Sequence, residues 1–432
     1  MAADGEVPPS ASGLARRDLL LAGAAATLVP WPGHALAAPA TAQNRRRYDA
    51  VGRLMTQYVK DRRIAGAVFA IGRNSGDTDF LAHGYSAMAR GQFLNEESLF
   101  RIYSMTKPIT AVAAMILIEE GRLKLDQNIA DIFPGFAKPR VIIGASRGLE
   151  SRPATRPITV RHLLTHSSGL GYTINGNGPV EQEYTRLGLV PGQRDLSDKL
   201  PRPPSLAAFA DLLATVPLLT DPGTRWHYSL SLDLMGAIVE RVADQPFNLF
   251  LKERIFDPLG MADTGFTVAA RRLPRLVANY LVTREGLRLI DGPPDSVYGH
   301  MPAFPFGGSG LVSSARDYAR FCAMLLGEGQ WRTKRIITAE TARLMMSNLL
   351  PEGVAGPDGQ GFGAGGKVLI HPDGTGQGIG TYGWAGAAGT MMWVDPVYKV
   401  HATWLAQYMP LEALPVQRTV PRAAYEDLSR PS

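Results

Sequence analysis

The stretch TKPITAVAAMILIEE, Thr106 to Glu120, constrains the fold more than any other. It is apolar on nearly every side until Glu119, and Gly121 is placed to stop it. The pattern predicts a helix from about Ser104 that is buried all round, not one with a solvated face. Such a helix needs other elements wrapped about it, and the chain has the material. Its 432 residues, at roughly 150 per domain, allow two domains or one domain with a large insertion. An apolar fraction of 45% with 19% charged residues describes an ordinary globular chain.

Elements of both kinds flank that helix. Tyr48, Val51, Leu54, Met55 and Tyr58 recur at helical spacing. AVFAIGRN from Ala67 and DFLAHGY from Asp79 are short apolar runs parted by Ser75-Gly76-Asp77, which predicts a hairpin. The middle is rich in helical patterns and Pro-Gly loops, among them LAAFADLLATV, SLDLMGAIVERVAD and NLFLKERIF. Strand signals return in AAGTMMWVD and VHATWLAQY, on either side of a turn at Pro396. Strands at both ends with helices between predict an α/β (α+β) architecture: residues 44–124 and 300–432 as one domain and 125–299 as an inserted, mostly helical one, with the site between them.

Residues 1–37 differ from the rest. Arg16 and Arg17 precede LLLAGAAATLV, and Ala35-Leu36-Ala37 suits a small-residue cleavage site. The paired arginines resemble a twin-arginine export signal, although Leu20 and Leu21 stand where Phe and Lys are commoner. The apolar part has roughly 11 residues where a bilayer core needs about 20, so the expectation is export to the periplasm without stable membrane insertion. The net charge of +6 is modest, and Arg45 to Arg47 are the densest basic group, which speaks against nucleic acid as a partner. Cys322 is the only cysteine, so no intrachain disulfide forms, and its helical setting in ARDYARFCAMLL predicts an inert buried thiol.

Several motif matches fail on context. GASRG around Ser146 fits a nucleophile elbow, but Pro153 and Pro157 follow where a helix must begin. GFGAGGKV, Gly361 to Val368, lacks the final Ser or Thr of a phosphate-binding loop. GIGTYG from Gly378 runs into a strand rather than a helix. His162 and His166 lack the Glu and third ligand of a zinc site. No metal and no organic cofactor is expected.

Ser104 and Lys107 form the sole S-x-x-K in the chain. At that spacing on a helix they share a face, and Pro108 fits a helix beginning. A serine hydroxyl needs a base to become a nucleophile, and a lysine serves once desolvation and neighbouring charge lower its pKa. A capping serine beside a solvated lysine is the structural alternative.

FRIYSMTKPITAVAAMILIEEGRLKLDQNIADIFP, ITVRHLLTHSSGL, GTRWHYSLSLDLMGAIVERV, DPLGMADTGF and GGSGLVSSARDYARF together resemble serine hydrolases related to class C β-lactamases and penicillin-binding proteins. The likeness runs in order from about residue 65 to 405 and is greatest to family VIII carboxylesterases. It implies a β-lactamase/transpeptidase-like fold, with an antiparallel sheet flanked by helices. Ser104 then falls on the family's nucleophile, Lys107 on its base and Tyr228, in WHYSL, on its proton-relaying tyrosine. The third motif, K-T-G in β-lactamases, corresponds to Trp384-Ala385-Gly386, and the Asn two residues after the tyrosine is replaced by Leu230. By the same resemblance, the backbone N–H groups of Ser104 and Ala387 form the oxyanion hole. Loss of the lysine removes a cation suited to a β-lactam carboxylate, and an indole offers an apolar wall instead. The function implied is cleavage of small carboxylic esters through an acyl-serine. The alternatives are a β-lactamase or D-amino-acid peptidase acting on amides, and a non-catalytic penicillin-binding-like protein.

Overall fold

The structure, a computed structural model, describes residues 47–430 other than Ser75, Arg90 and residues 193–201. The export segment expected at 1–37 lies outside the described residues. The sheet is built from both ends of the chain. β1 (Gly66–Arg73) and β2 (Thr78–Gly84) form the hairpin expected from their apolar runs. β3 (Gly361–Phe362), β4 (Lys367–Val368), β5 (Tyr382–Gly386), β6 (Thr390–Asp395) and β7 (Val400–Leu405) complete a seven-stranded antiparallel sheet in the order β3-β4-β5-β6-β7-β1-β2. β1 joins the two halves by pairing with β7, Val68 opposite Leu405 and Arg73 opposite Val400.

Strand alternation sends successive side chains to opposite faces. Phe69 and Ile71 of β1, Trp393 of β6 and Trp404 of β7 pack against α1 (Asp49–Lys60) and the C-terminal α6 (Val416–Ser429). Val68, Met392, Val394 and Leu405 face the other way, into the larger core. That core contains α5 (Ala315–Leu326), which lies across β7, β1 and β6. Ser314 starts α5 by accepting the Asp317 N–H at 3.2 Å, the usual role of an N-cap serine.

α2 (Thr106–Glu119) is buried at every position from Thr106 to Leu117, as its all-round apolar pattern requires. It packs against α4 (Ser231–Ala243) of the middle region, which also holds α3 (Leu206–Ala214) and the shorter helices Val160–Leu164 and Pro179–Arg186. Two small hairpins, 140–153 and 279–291, interrupt the helices there. The α-helix begins at Thr106, not Ser104, because residues 103–105 form a 3-10 turn before it. No described helix is long and apolar enough to cross a membrane.

Candidate active site

Ser104 stands in that 3-10 turn, where the chain is held on both sides. Before it, the fully buried Arg101 donates to the carbonyl of Val277 at 2.6 Å and to Gln407 at 3.1 Å, and pairs with Asp291. After it, the Tyr318 hydroxyl donates to the Met105 carbonyl at 2.7 Å, and Thr106 Oγ1 accepts the Leu311 N–H at 3.1 Å. Tyr103 between these anchors has φ 43°, a left-handed conformation that costs a non-glycine residue about 1–3 kcal/mol. The surrounding bonds hold that strained turn, which presents the serine at the start of α2.

Lys107 Nζ donates to Ser104 Oγ at 3.3 Å and to the Gly308 carbonyl at 2.8 Å. One helical turn of spacing brings the two side chains together, and the solvated-lysine alternative fails because Lys107 is fully buried. Its ammonium lies 4.5 Å from the centre of the Tyr228 ring and 5.4 Å from that of Tyr172, within cation–π range. The Tyr228 hydroxyl is 2.6 Å from Ser104 Oγ. Three side chains expected to share one proton inventory are thus within hydrogen-bond or ring contact of one another.

Tyr228 is fixed from behind by His166. The His166 carbonyl accepts the His227 N–H at 2.8 Å, its Nδ1 lies 2.8 Å from Ser229 Oγ, and its ring centre is 4.9 Å from that of Tyr228. Complete burial, and then the Lys107 charge, hold the His166 pKa well below the usual histidine value, so it packs as a neutral ring. His162 is on the helix Val160–Leu164, where it closes a capping box with Thr159, while His166 is beyond the helix end at φ 55°. The two histidines therefore do not form a pair on one helix face. Among the described residues no group of three His, Cys, Asp or Glu gathers to hold a metal ion.

Trp384 reaches the same place from the sheet. Its Nε1 is 3.3 Å from the Tyr228 hydroxyl, and its ring lies 5.4 Å from Tyr228 and 5.2 Å from Phe362. It is half-buried and faces the site, not the core. β4 pairs only with Tyr382 and Gly383, so β5 runs past its neighbour before reaching Trp384. Ala385 shares that stretch, and its side chain packs on the opposite face with the α1/α6 core. A Cβ on Gly386 would come 2.3 Å from the Ile102 carbonyl oxygen, so only glycine lets β5 close against the Tyr103–Met105 turn. Ala387 follows in the turn to β6.

The motifs rejected on sequence lie elsewhere or do other work. Ser146 is in an exposed 3-10 turn followed by the strand Ser151–Pro153, with no helix. GFGAGGKV is the β3–β4 hairpin, and GIGTYG leads into β5. Cys322 is buried in α5, and burial pushes its thiol pKa well up. Asp233, His166, Tyr172 and the Gly308 carbonyl also surround the site, and the sequence reading assigns none of them a place in it. The one available hint for Asp233 is its place five residues after Tyr228 in YSLSLD.

A sequence model of the Beta-lactamase family matches residues 51–425. Protein Rv1367c of Mycobacterium tuberculosis is 36% identical over 344 residues, covering 76% of this chain and 82% of that one. Esterase EstB of Burkholderia gladioli is 34% identical over 371 residues, covering 81% and 86%. Among solved structures, EstCE1, described as a hydrolase with promiscuous acyltransferase activity, superposes with a TM-score of 0.73 at 28% identity, covering 89% of this chain and 99% of that one. With the fold, the match across nearly all of its described length and an esterase relative in agreement, the chain belongs to the Beta-lactamase family and is one of its serine hydrolase enzymes.

Proposed function

We propose that the enzyme cleaves small carboxylic esters through an acyl-Ser104 intermediate, with Lys107 and Tyr228 moving the protons. The observation that carries this is the 2.6 Å contact between the Tyr228 hydroxyl and Ser104 Oγ, beside a fully buried Lys107. The Tyr228–Lys107 pair takes the serine proton as Ser104 Oγ attacks the ester carbonyl. The backbone N–H groups of Ser104 and Ala387 stabilise the negative charge that forms on the carbonyl oxygen. The tetrahedral adduct collapses, the C–O bond to the alcohol breaks, and Tyr228 returns the proton to the leaving oxygen. Water then gives up a proton to the same pair as its oxygen attacks the acyl carbon, the bond from that carbon to Ser104 Oγ breaks, and the pair returns the proton to Ser104 Oγ as the acid leaves. An alcohol in place of water would make the step an acyl transfer, an outcome favoured by the activity named for EstCE1.

Trp384 supports esters over β-lactams, because an indole beside Tyr228 cannot pair with the carboxylate of a penicillin. The segment around Arg16 and Arg17 supports action in the periplasm. A panel of p-nitrophenyl esters run against a chromogenic cephalosporin tests the proposal. Ester turnover with at least about 100-fold lower kcat/KM on β-lactams is the expected result. Comparable cephalosporin turnover would favour a β-lactamase, and no turnover of either a binding protein.

A further inference from the structure

Resting on the acyl-serine function proposed above, we propose that Asp233 is a positioning residue for Lys107, acting through the Gly308 peptide. Asp233 Oδ1 accepts the Gly308 N–H at 2.9 Å, and the carbonyl of the same residue accepts the Lys107 ammonium at 2.8 Å. The preceding carbonyl, Gly307, accepts Thr110 Oγ1 at 2.6 Å, one turn further along α2. A two-glycine segment is therefore clamped between the first turn of α4 and the helix α2 that carries Lys107 and Thr110. Side chains cannot replace those glycines. A Cβ on Gly307 would come 2.4 Å from the Leu232 carbonyl oxygen, and one on Gly308 would come 2.4 Å from Asp233 Oδ2.

A carboxylate in the first turn of a helix is ordinarily a surface feature that complements the helix dipole. Asp233 is fully buried, and its Oδ2 has no hydrogen-bond partner among the described residues, an arrangement that costs several kcal/mol unless a charge offsets it. The offsetting charge is Lys107, one peptide away. Burial raises the Asp233 pKa, and the lysine and the Gly308 N–H act in the opposite direction. The other groups facing the ammonium are Ser104, the rings of Tyr172 and Tyr228, and the neutral His166, none of which supplies a second carboxylate. Asp233 stands five positions after Tyr228 in YSLSLD, so a single segment carries the relay tyrosine and the anchor of the lysine.

The test compares Asp233→Ala with Asp233→Asn on a p-nitrophenyl ester, with melting curves and phosphonate titration of Ser104 alongside. The alanine variant should lose about 30- to 100-fold in kcat with KM within about threefold, the scale of a misplaced catalytic group. The asparagine variant keeps an acceptor for Gly308 and should recover at least about tenfold of that loss. An alanine variant with near-wild-type kcat, or an asparagine variant no better than alanine, overturns the proposal. If Asp233→Ala does not fold, Asp233→Asn decides alone: it keeps the acceptor for the Gly308 N–H, and a loss of about 30-fold or more in its kcat is equally fatal. Wild-type enzyme that takes no phosphonate on Ser104 would instead sink the acyl-serine function itself, which separates the two failures.

Discussion

At the residue scale, the proposed proton transfers centre on Ser104 Oγ, which has the Tyr228 hydroxyl at 2.6 Å and Lys107 Nζ at 3.3 Å. Tyr228→Phe keeps the ring contacts with Trp384, Tyr172 and His166 but removes the hydroxyl. Its kcat should fall by roughly 100-fold or more, the usual range for a lost general base, with an unchanged melting temperature. Near-full activity in a steady-state assay would leave Lys107 as the only base. Trp384→Lys should narrow the preference for esters from the β-lactam side, since a charge-assisted hydrogen bond contributes about 1.5–3 kcal/mol. A stably folded variant with unchanged relative kcat/KM would show that position 384 does not select the substrate. Ser104 and Lys107 are legible in the sequence because their spacing is local. Tyr228 is legible only through the order of motifs, since it reaches the serine across 124 positions. Asp233 and His166 act through backbone contacts, which leave no spacing to find.

At the scale of elements, the proposed chemistry needs β5 to close against the turn that carries Ser104. Gly386→Ala forces a Cβ against the Ile102 carbonyl oxygen, and backbone cannot move aside as a flexible side chain does. The variant should be destabilised by about 1–3 kcal/mol, the range for overpacking. Its kcat should fall more than its KM rises, measured by melting curves and ester kinetics together. Wild-type stability and rate would show that β5 and the turn have room between them. α2 is legible because burial on all sides imprints the whole segment, and so are β1, β2, β6 and β7, whose cores are dense in β-branched and aromatic residues. The hairpin 279–291 is not. Leu289 and Ile290 are exposed, so the strand carries no alternation to read. The 3-10 turn at Ser104 is also invisible, because the strained Tyr103 is held by distant groups such as Asn279, which donates to its hydroxyl at 3.2 Å.

At the scale of the whole molecule, histidines buried as neutral rings make the fold sensitive to acid. His401 in β7 is fully buried, both ring nitrogens lack partners among the described residues, and burial lowers its pKa to about 4. Above the unfolded value of 6.5, neither state is protonated there and the group contributes no pH dependence. As pH falls from 6.5 towards 4, the unfolded chain takes up a proton that the folded one refuses. Stability drops by about 3 kcal/mol over that window. His162, lowered to about 4 by burial and then by Arg156, acts with the same sign. Asp317, raised to about 6 by burial, opposes them, because the folded state binds its proton first. His401→Leu removes one such contribution, away from the site, without stranding a polar group. Its melting temperature should fall less steeply between pH 6.5 and 4 than that of the wild type. Parallel curves would show that His401 titrates normally. The sequence reveals the sheet that houses this histidine but not its burial, since Gly72 makes room for the ring from a strand more than 300 positions away.

The proposed acyl-Ser104 intermediate can be trapped. Acid-quenching the enzyme during turnover of a p-nitrophenyl ester, followed by peptide mapping by mass spectrometry, tests it directly. The expected result is an acyl adduct on the peptide containing Ser104, absent in Ser104→Ala and undiminished in Ser146→Ala. An adduct on Ser146 or any other serine, or steady turnover by Ser104→Ala, would contradict it.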